Sequence, residues 1–195
     1  MPLAVLDIQH RGKPGRWSDR GAVAFGVEEV DLTHRYALAA DKELRRLGWE
    51  AAVLADGHYA DRWARADAYG ARVYVACHVD GGGGDRGTVF FDARSARGPK
   101  LAEAVADALR EAVPWPVLPR PTAPGDRAFN TIHGVRAVAL CYEPGFVDCP
   151  NEPHRALLVE RAEALGAALA RGIAAWARIA RTNAPPGAPR AAPAR

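Results

Sequence analysis

RVYVACHVDGGGGDRG, residues 72–87, runs from an apolar, Val-rich stretch through a Cys-His pair into glycines. Gly82, Gly84 and Gly87 satisfy G-x-G-x-x-G after a strand-like run, as a phosphate loop does. That chemistry needs a helix next, because a helix N-terminus holds the pyrophosphate. The next run, GTVFFDA (87–93), is of strand type instead. No acidic residue closes a second strand to hold a ribose, and no G-x-x-x-x-G-K-[ST] occurs. A nucleotide site is therefore set aside. The glycines read as a turn between two strands, which leaves His78 at a strand end.

The pattern continues outward in both directions. LAVLDI (3–8), EAAVLA (50–55) and RAVALCY (136–142) are further apolar runs of strand length. Helices are predicted over about 28–47, stopped by Gly48, and over 61–69, stopped by Gly70. Two more are predicted over 98–113, with proline near the start, and over 153–179 as one long helix. Residues 114–126 are rich in proline and read as a loop. Strands that alternate with helices, and are apolar without alternation, specify an α/β fold. The expectation is a single domain over 1–180: a twisted, mostly parallel sheet of about six strands with helices on both faces. The stretch 181–195, RTNAPPGAPRAAPAR, is expected to be a disordered tail.

Composition narrows the function. The 195 residues carry a net charge of +3, with Lys and Arg scattered, so nucleic acid is not an expected partner. No run approaches the roughly 20 apolar residues of a membrane span. The N-terminus MPLAVLDIQH lacks the basic leader and cleavage site of a secretory signal. Three cysteines with no CxxC pair exclude a zinc ribbon and a thioredoxin motif, and suit a reducing compartment.

In open α/β sheets, ligands collect beyond the carboxyl ends of strands. His10, His78 and Glu143 each follow such a strand. A catalytic zinc asks for three protein ligands and one open position, and the two histidines supply two. At 100° per residue, Leu32, Tyr36, Ala40, Leu44 and Leu47 fall within about 60° of Glu29. Glu29 is thus central to a buried stripe and Glu28 is near its edge. Acids are also favoured in a first helical turn by the macrodipole alone, so the stripe does not by itself decide between them. The two serines, Ser18 and Ser95, lie in no G-x-S-x-G elbow. Cys77 is expected in the core, because neighbouring residues of a strand face opposite ways and His78 takes the other face. Cys141, on the fifth strand, is expected in the core too. Asp56, His58 and Asp61 read as a polar turn. His34 and His154 read as surface residues. His133 stands before the last strand, either reaching its end or lying in a loop.

LDIQHRGKPG (6–15), EVDLTHRYALAADKELRRLG (29–48), RVYVACHVDGG (72–82) and AVALCYEPGFVD (137–148) come in the order of known motifs. They resemble the zinc-dependent N-acetylmuramoyl-L-alanine amidases of the amidase-3 type over about residues 3–178. The resemblance implies Zn2+ held by His10, Glu29 and His78, with Glu143 as catalytic carboxylate. It implies peptidoglycan as substrate, cut between N-acetylmuramic acid and L-alanine. Gln9 and Arg11 stand where the family has glycines, and Asp80 stands for an asparagine. Asp80 is a candidate acceptor behind His78. Arg127, Asn130 and His133 are candidate substrate contacts, with the glycine loop and residues 114–130 bordering the groove. The chain is expected to act as a monomer, made without a signal peptide and released as a phage endolysin, or as a domain of a secreted wall hydrolase. The rival readings are a related zinc carboxypeptidase or amidohydrolase, and an inactive wall-binding module.

Overall fold

An apolar run that does not alternate has no face to offer water, so it takes an inner place in a sheet. The computed structural model, which describes residues 1–12 and 19–182, is built on three such runs. In chain order the strands are β1 (Leu3–Ile8), β2 (Val23–Ala24), β3 (Val27–Glu28), β4 (Glu50–Leu54), β5 (Val73–Cys77), β6 (Gly87–Asp92), β7 (Val117–Thr122) and β8 (Val138–Glu143). The helices are α1 (Glu29–Arg46), α2 (Tyr59–Ala68), α3 (Gly98–Arg110), α4 (Phe129–Ile132), α5 (Glu152–Glu160) and α6 (Ala162–Thr182). The main sheet has the order β4-β1-β5-β8-β6-β7. β1, β5 and β8 are interior and almost wholly buried. β4, β1, β5 and β8 run parallel; β6 is antiparallel to β8 and parallel to β7. The fold is the α/β arrangement expected, with a mostly parallel sheet.

α6 packs against both α1 and α3 on one face of the sheet. The other face is covered by α2 and α4, through Trp63, Ala66, Ala128 and Ile132 against Val5, Tyr74 and Cys141. Gly166 lets α6 reach α1: a Cβ there would lie 2.0 Å from the Tyr36 carbonyl oxygen. Alanine would gain about 1 kcal/mol in helix propensity. The clash exceeds that, since overpacking costs about 1–3 kcal/mol. Gly166→Ala is therefore expected to lower the urea midpoint, in spite of its better propensity.

Three predicted elements need correction. The proline-rich stretch is not a loop throughout, because β7 passes through it. The carbonyls of Pro116 and Thr122 accept from Gly87 and Ala93 of the β6 segment. Even-numbered residues thus face β6, and Pro119 and Pro121 face away on the open edge, where no donor is needed. The single helix over 153–179 is two helices. Arg161 leaves the helical conformation (φ −99°, ψ 16°) while its guanidinium donates to Ala112 O at 2.9 Å. Glu160-Arg161-Ala162 contains no proline or glycine, so nothing local marks the break. α6 extends to Thr182, and the rest of the expected tail, 183–195, lies outside the described residues.

Candidate active site

β1, β5 and β8 are parallel neighbours, so their carboxyl ends meet at one edge. His10, His78 and Glu143 come together there, and α1 starts beside them. The start of α1 is held by the β2–β3 hairpin: Glu29 N donates to Ala22 O at 2.9 Å, and Ala22 N returns a bond to Glu29 Oε2 at 2.8 Å. Glu29 Oε1 accepts from Val79 N at 3.1 Å and lies 2.8 Å from His78 Nδ1 and 3.4 Å from His10 Nε2. The two imidazoles meet edge to face with ring centroids 5.3 Å apart. The three donor atoms lie within 4.8 Å of one another. Glu28 is elsewhere, at the N-cap of α1 and 2.6 Å from Arg20. The side chain that converges with the histidines is Glu29.

The electrostatics suit a cation. Burial opposes ionisation of Glu29, but bonds and charge from His10 and His78 outweigh it and hold the carboxyl far below the usual range. Burial lowers the His10 pKa, yet Glu29 and Asp19 outweigh it and raise that pKa. His10 Nδ1 lies 2.9 Å from Asp19 Oδ1, leaving Nε2 to face Glu29. A metal-binding histidine is ordinarily held in this way, with its second ring nitrogen on a carboxylate. The donor set thus fits a zinc-type ion: two imidazoles and one carboxylate, with one imidazole already oriented.

His10 has a left-handed backbone (φ 67°), which costs a non-glycine residue roughly 1–2 kcal/mol. The conformation is braced from below. Arg62 of α2 is fully buried and bonds the carbonyls of Ile8, Arg11 and Gly57, together with the Asp7 carboxylate. Asp7 also accepts from Tyr74 OH and Gln9 Nε2. The bonds to Ile8 and Arg11 bracket the turn that presents His10.

A cavity of about 640 Å³ opens over these groups. Glu143 forms part of its floor, with Asp80, Arg127 and Asn130 also on the lining. Burial, then the charge and hydrogen bond of Asp80, push the Glu143 carboxyl up to about 8. Asp80 is raised too, by burial first. Asp80 does not serve His78, whose Nδ1 meets Glu29 instead; it bonds Gly81 N at 2.8 Å and shares a hydrogen bond with Glu143. His133 lies outside this cavity. It stacks on Phe129 at 4.8 Å and edges Trp63 at 4.9 Å, beside a separate cleft.

Of the remaining candidates, Cys77 is fully buried and burial raises its thiol pKa, which fits a core role. Cys141 is buried as well, although it also touches the cavity. His58 caps α2 and Asp61 accepts from its backbone at 3.2 Å, so that segment is a polar turn. His34 is half-buried, 2.6 Å from Arg11. Sequence reasoning missed Asp19, Tyr59 and Arg62. Tyr59 lines the cavity from the first turn of α2. None of the three sits in a periodic stripe or at a strand end, so the sequence carried no signal for them.

An α/β domain with this cluster offers a candidate metal site at the carboxyl edge, where such sheets bind ligands. The chain belongs to the N-acetylmuramoyl-L-alanine amidase family (Amidase_3), whose model matches residues 5–175. That family hydrolyses the bond between N-acetylmuramic acid and L-alanine in peptidoglycan. Cwp6 from Clostridium difficile matches with TM-score 0.75 and 18% identity over 88% of this chain; the chain spans 28% of Cwp6. N-acetylmuramoyl-L-alanine amidase AmiC2 of Nostoc punctiforme matches with TM-score 0.74 and 19% identity, covering 91% of this chain and 97% of that one. The catalytic domain of the CD27L endolysin targeting Clostridia Difficile matches with TM-score 0.70 and 14% identity, covering 89% and 96%. At these identities the likeness is one of fold. A comparison with curated proteins finds no match. Among the described residues, no helix is long and apolar enough to cross a membrane.

Proposed function

We propose that the chain is a zinc-dependent amidase that cuts peptidoglycan between the lactyl group of N-acetylmuramic acid and L-alanine. His10, Glu29 and His78 hold the metal, and Glu143 is the acid–base group. The observation that carries this reading is that Glu29 Oε1 lies 2.8 Å from His78 Nδ1 and 3.4 Å from His10 Nε2, on the lining of the cavity that Glu143 also lines.

An amide resists water because its carbonyl is a poor electrophile and its amine a poor leaving group. Zinc at such a site supplies Lewis acidity, making water more acidic and a carbonyl more electrophilic. The chain supplies the rest. Glu143 takes a proton from the attacking water on a carboxylate oxygen and returns it to the leaving L-alanine nitrogen. In the metal-free site, burial and Asp80 push this carboxyl up to about 8. A dication held beside it would lower that value and favour the ionised form that accepts the proton. Asp19 orients His10. Arg127 and Asn130, on the cavity lining, bind substrate. The chain acts as a monomer. Release at lysis or secretion within a longer chain would bring the same groove to the same polymer.

Digestion of purified peptidoglycan tests the reaction. New L-alanine amino groups on intact stem peptides are expected, without new sugar reducing ends. Free terminal amino acids would instead identify a carboxypeptidase. Metal content relative to wild type tests the ligands: Glu29→Ala is expected to lose one equivalent of zinc, whereas Glu28→Ala keeps the wild-type content. Wild-type zinc content in Glu29→Ala, with one equivalent lost in His78→Ala, would remove Glu29 from the ligand set.

A further inference from the structure

Outside the cavity, three more potential ligands meet. Asp85 follows the glycine loop, Cys149 stands between β8 and α5, and His154 lies in the first turn of α5. Asp85 Oδ1 accepts from Cys149 Sγ at 3.3 Å and lies 2.7 Å from His154 Nδ1. Asn151 Nδ2 reaches the other oxygen at 3.4 Å. One donor atom from each of the three lies within 4.8 Å of the others. Two clusters of this kind occur among the described residues, and they share a design. At the first, Glu29 Oε1 lies between two imidazoles. At the second, Asp85 Oδ1 lies between an imidazole and a thiol. In each, one carboxylate oxygen contacts both of the other residues.

We propose that Asp85, Cys149 and His154 form a second metal site, taking a zinc-type cation through three protein donors with water in the fourth position, and fastening the loop 81–86 to the chain between β8 and α5. His154, expected at the surface, is half-buried beside Asp85. The donor types select the ion. Thiolate and imidazole suit zinc, while magnesium and calcium prefer oxygen. Zinc–ligand distances of about 2.0–2.3 Å set tetrahedral donor–donor separations of roughly 3.3–3.8 Å. The Cys149–Asp85 pair already fits, and the His154–Asp85 pair must open by under about 1 Å. The void beside them is about 10 Å³, roughly the space of one water-sized sphere. On binding, Cys149 releases its thiol proton to solvent, and thiolate plus carboxylate neutralise the dication. Cys149 is only 4% exposed, which suits a structural ligand better than a nucleophile. The fastening matters to the groove because the same loop carries Gly81, on the cavity lining beside Asp80. The two chain segments are already laced there: Asp80 N donates to Gly145 O, Val147 N to Asp80 O, and Gly82 N to Asp148 Oδ2, all at 2.8–2.9 Å.

Cobalt(II) added alone to the metal-free, full-length protein tests the site, because thiolate ligation gives an intense near-ultraviolet charge-transfer band that His and carboxylate ligands do not. The wild type is expected to develop this band, saturating with one equivalent of cobalt at the thiolate site. Cys149→Ser should lose it. Asp85→Asn, a change at an exposed side chain that spares the fold, should weaken the cobalt affinity read at this band at least tenfold. His78→Ala and Cys141→Ala should keep it. A wild type without the band at excess cobalt would overturn the proposal, as would a band that survives Cys149→Ser.

Discussion

Glu143→Gln is expected to keep stoichiometric zinc and lose wall-lysing activity by about 100- to 10,000-fold, the usual worth of a positioned acid–base group. Glutamine has nearly the shape of glutamate and can still hydrogen-bond Asp80, so the cavity keeps its form. It cannot carry the proton from water to the leaving nitrogen. The stability of the metal-free variant separates lost chemistry from lost folding. Folding raises the Glu143 pKa from 4.5 to about 8. The folded state therefore holds a proton that the unfolded chain has released. That destabilises the fold increasingly as pH rises from about 4.5 through 8. Glutamine has no such titration. Measured at pH 7 in chelator, Glu143→Gln should unfold at a urea concentration no lower than wild type. A variant that lyses walls normally would end the acid–base assignment.

The second large effect is structural. Arg62→Met is expected to destabilise the protein by about 3–5 kcal/mol, the range for removing one partner of a buried ion pair. Asp7 and Arg62 are both fully buried. Burial already raises the Asp7 pKa, with Arg62 opposing it. Without the guanidinium, Asp7 must be protonated or left as an uncompensated charge. The carbonyls of Ile8, Arg11 and Gly57 also lose a donor. Replacing both charges, in Asp7→Leu with Arg62→Met, should recover part of the loss, because the isolated carboxylate is then gone. Equilibrium unfolding in urea measures each variant. If the single and double variants lost the same stability, the pair would not be the source of the effect.

These two residues also show what the sequence made legible. Glu143 stands at the end of an apolar strand, which makes it a candidate, but the Pro-Gly after it reads as a simple turn, and its catalytic role came from the family resemblance. The buried stripe of α1 favoured Glu29 over Glu28 because side-chain direction on a helix follows from register. β1, β5 and β8 were readable because strands buried on both faces have no polar face to confuse the pattern. Arg62 was not readable. It lies in a short helix of mostly polar residues, and its burial depends on carbonyls 51 and 54 residues away in the chain and on a carboxylate 55 residues away. Asp19 was hidden similarly, in a loop without periodicity. β7 was concealed by its prolines, which signal a loop unless the strand is known to be an edge. The break at Arg161 answers to a tertiary contact with Ala112, and nothing in a run of helix-forming residues announces it.

The left-handed backbone at His10 limits what that position can become. Outside glycine, Asn and Asp enter this region most easily, and β-branched residues are nearly excluded from it. A valine or threonine there would strain the chain whether or not metal binding mattered. Asparagine keeps the conformation and removes the imidazole. Sequence drift at this corner is thus narrowed twice, by the chemistry of the side chain and by the shape of the backbone. A survey of tolerated residues at position 10 that ignored φ would credit the metal with restrictions that the turn imposes by itself.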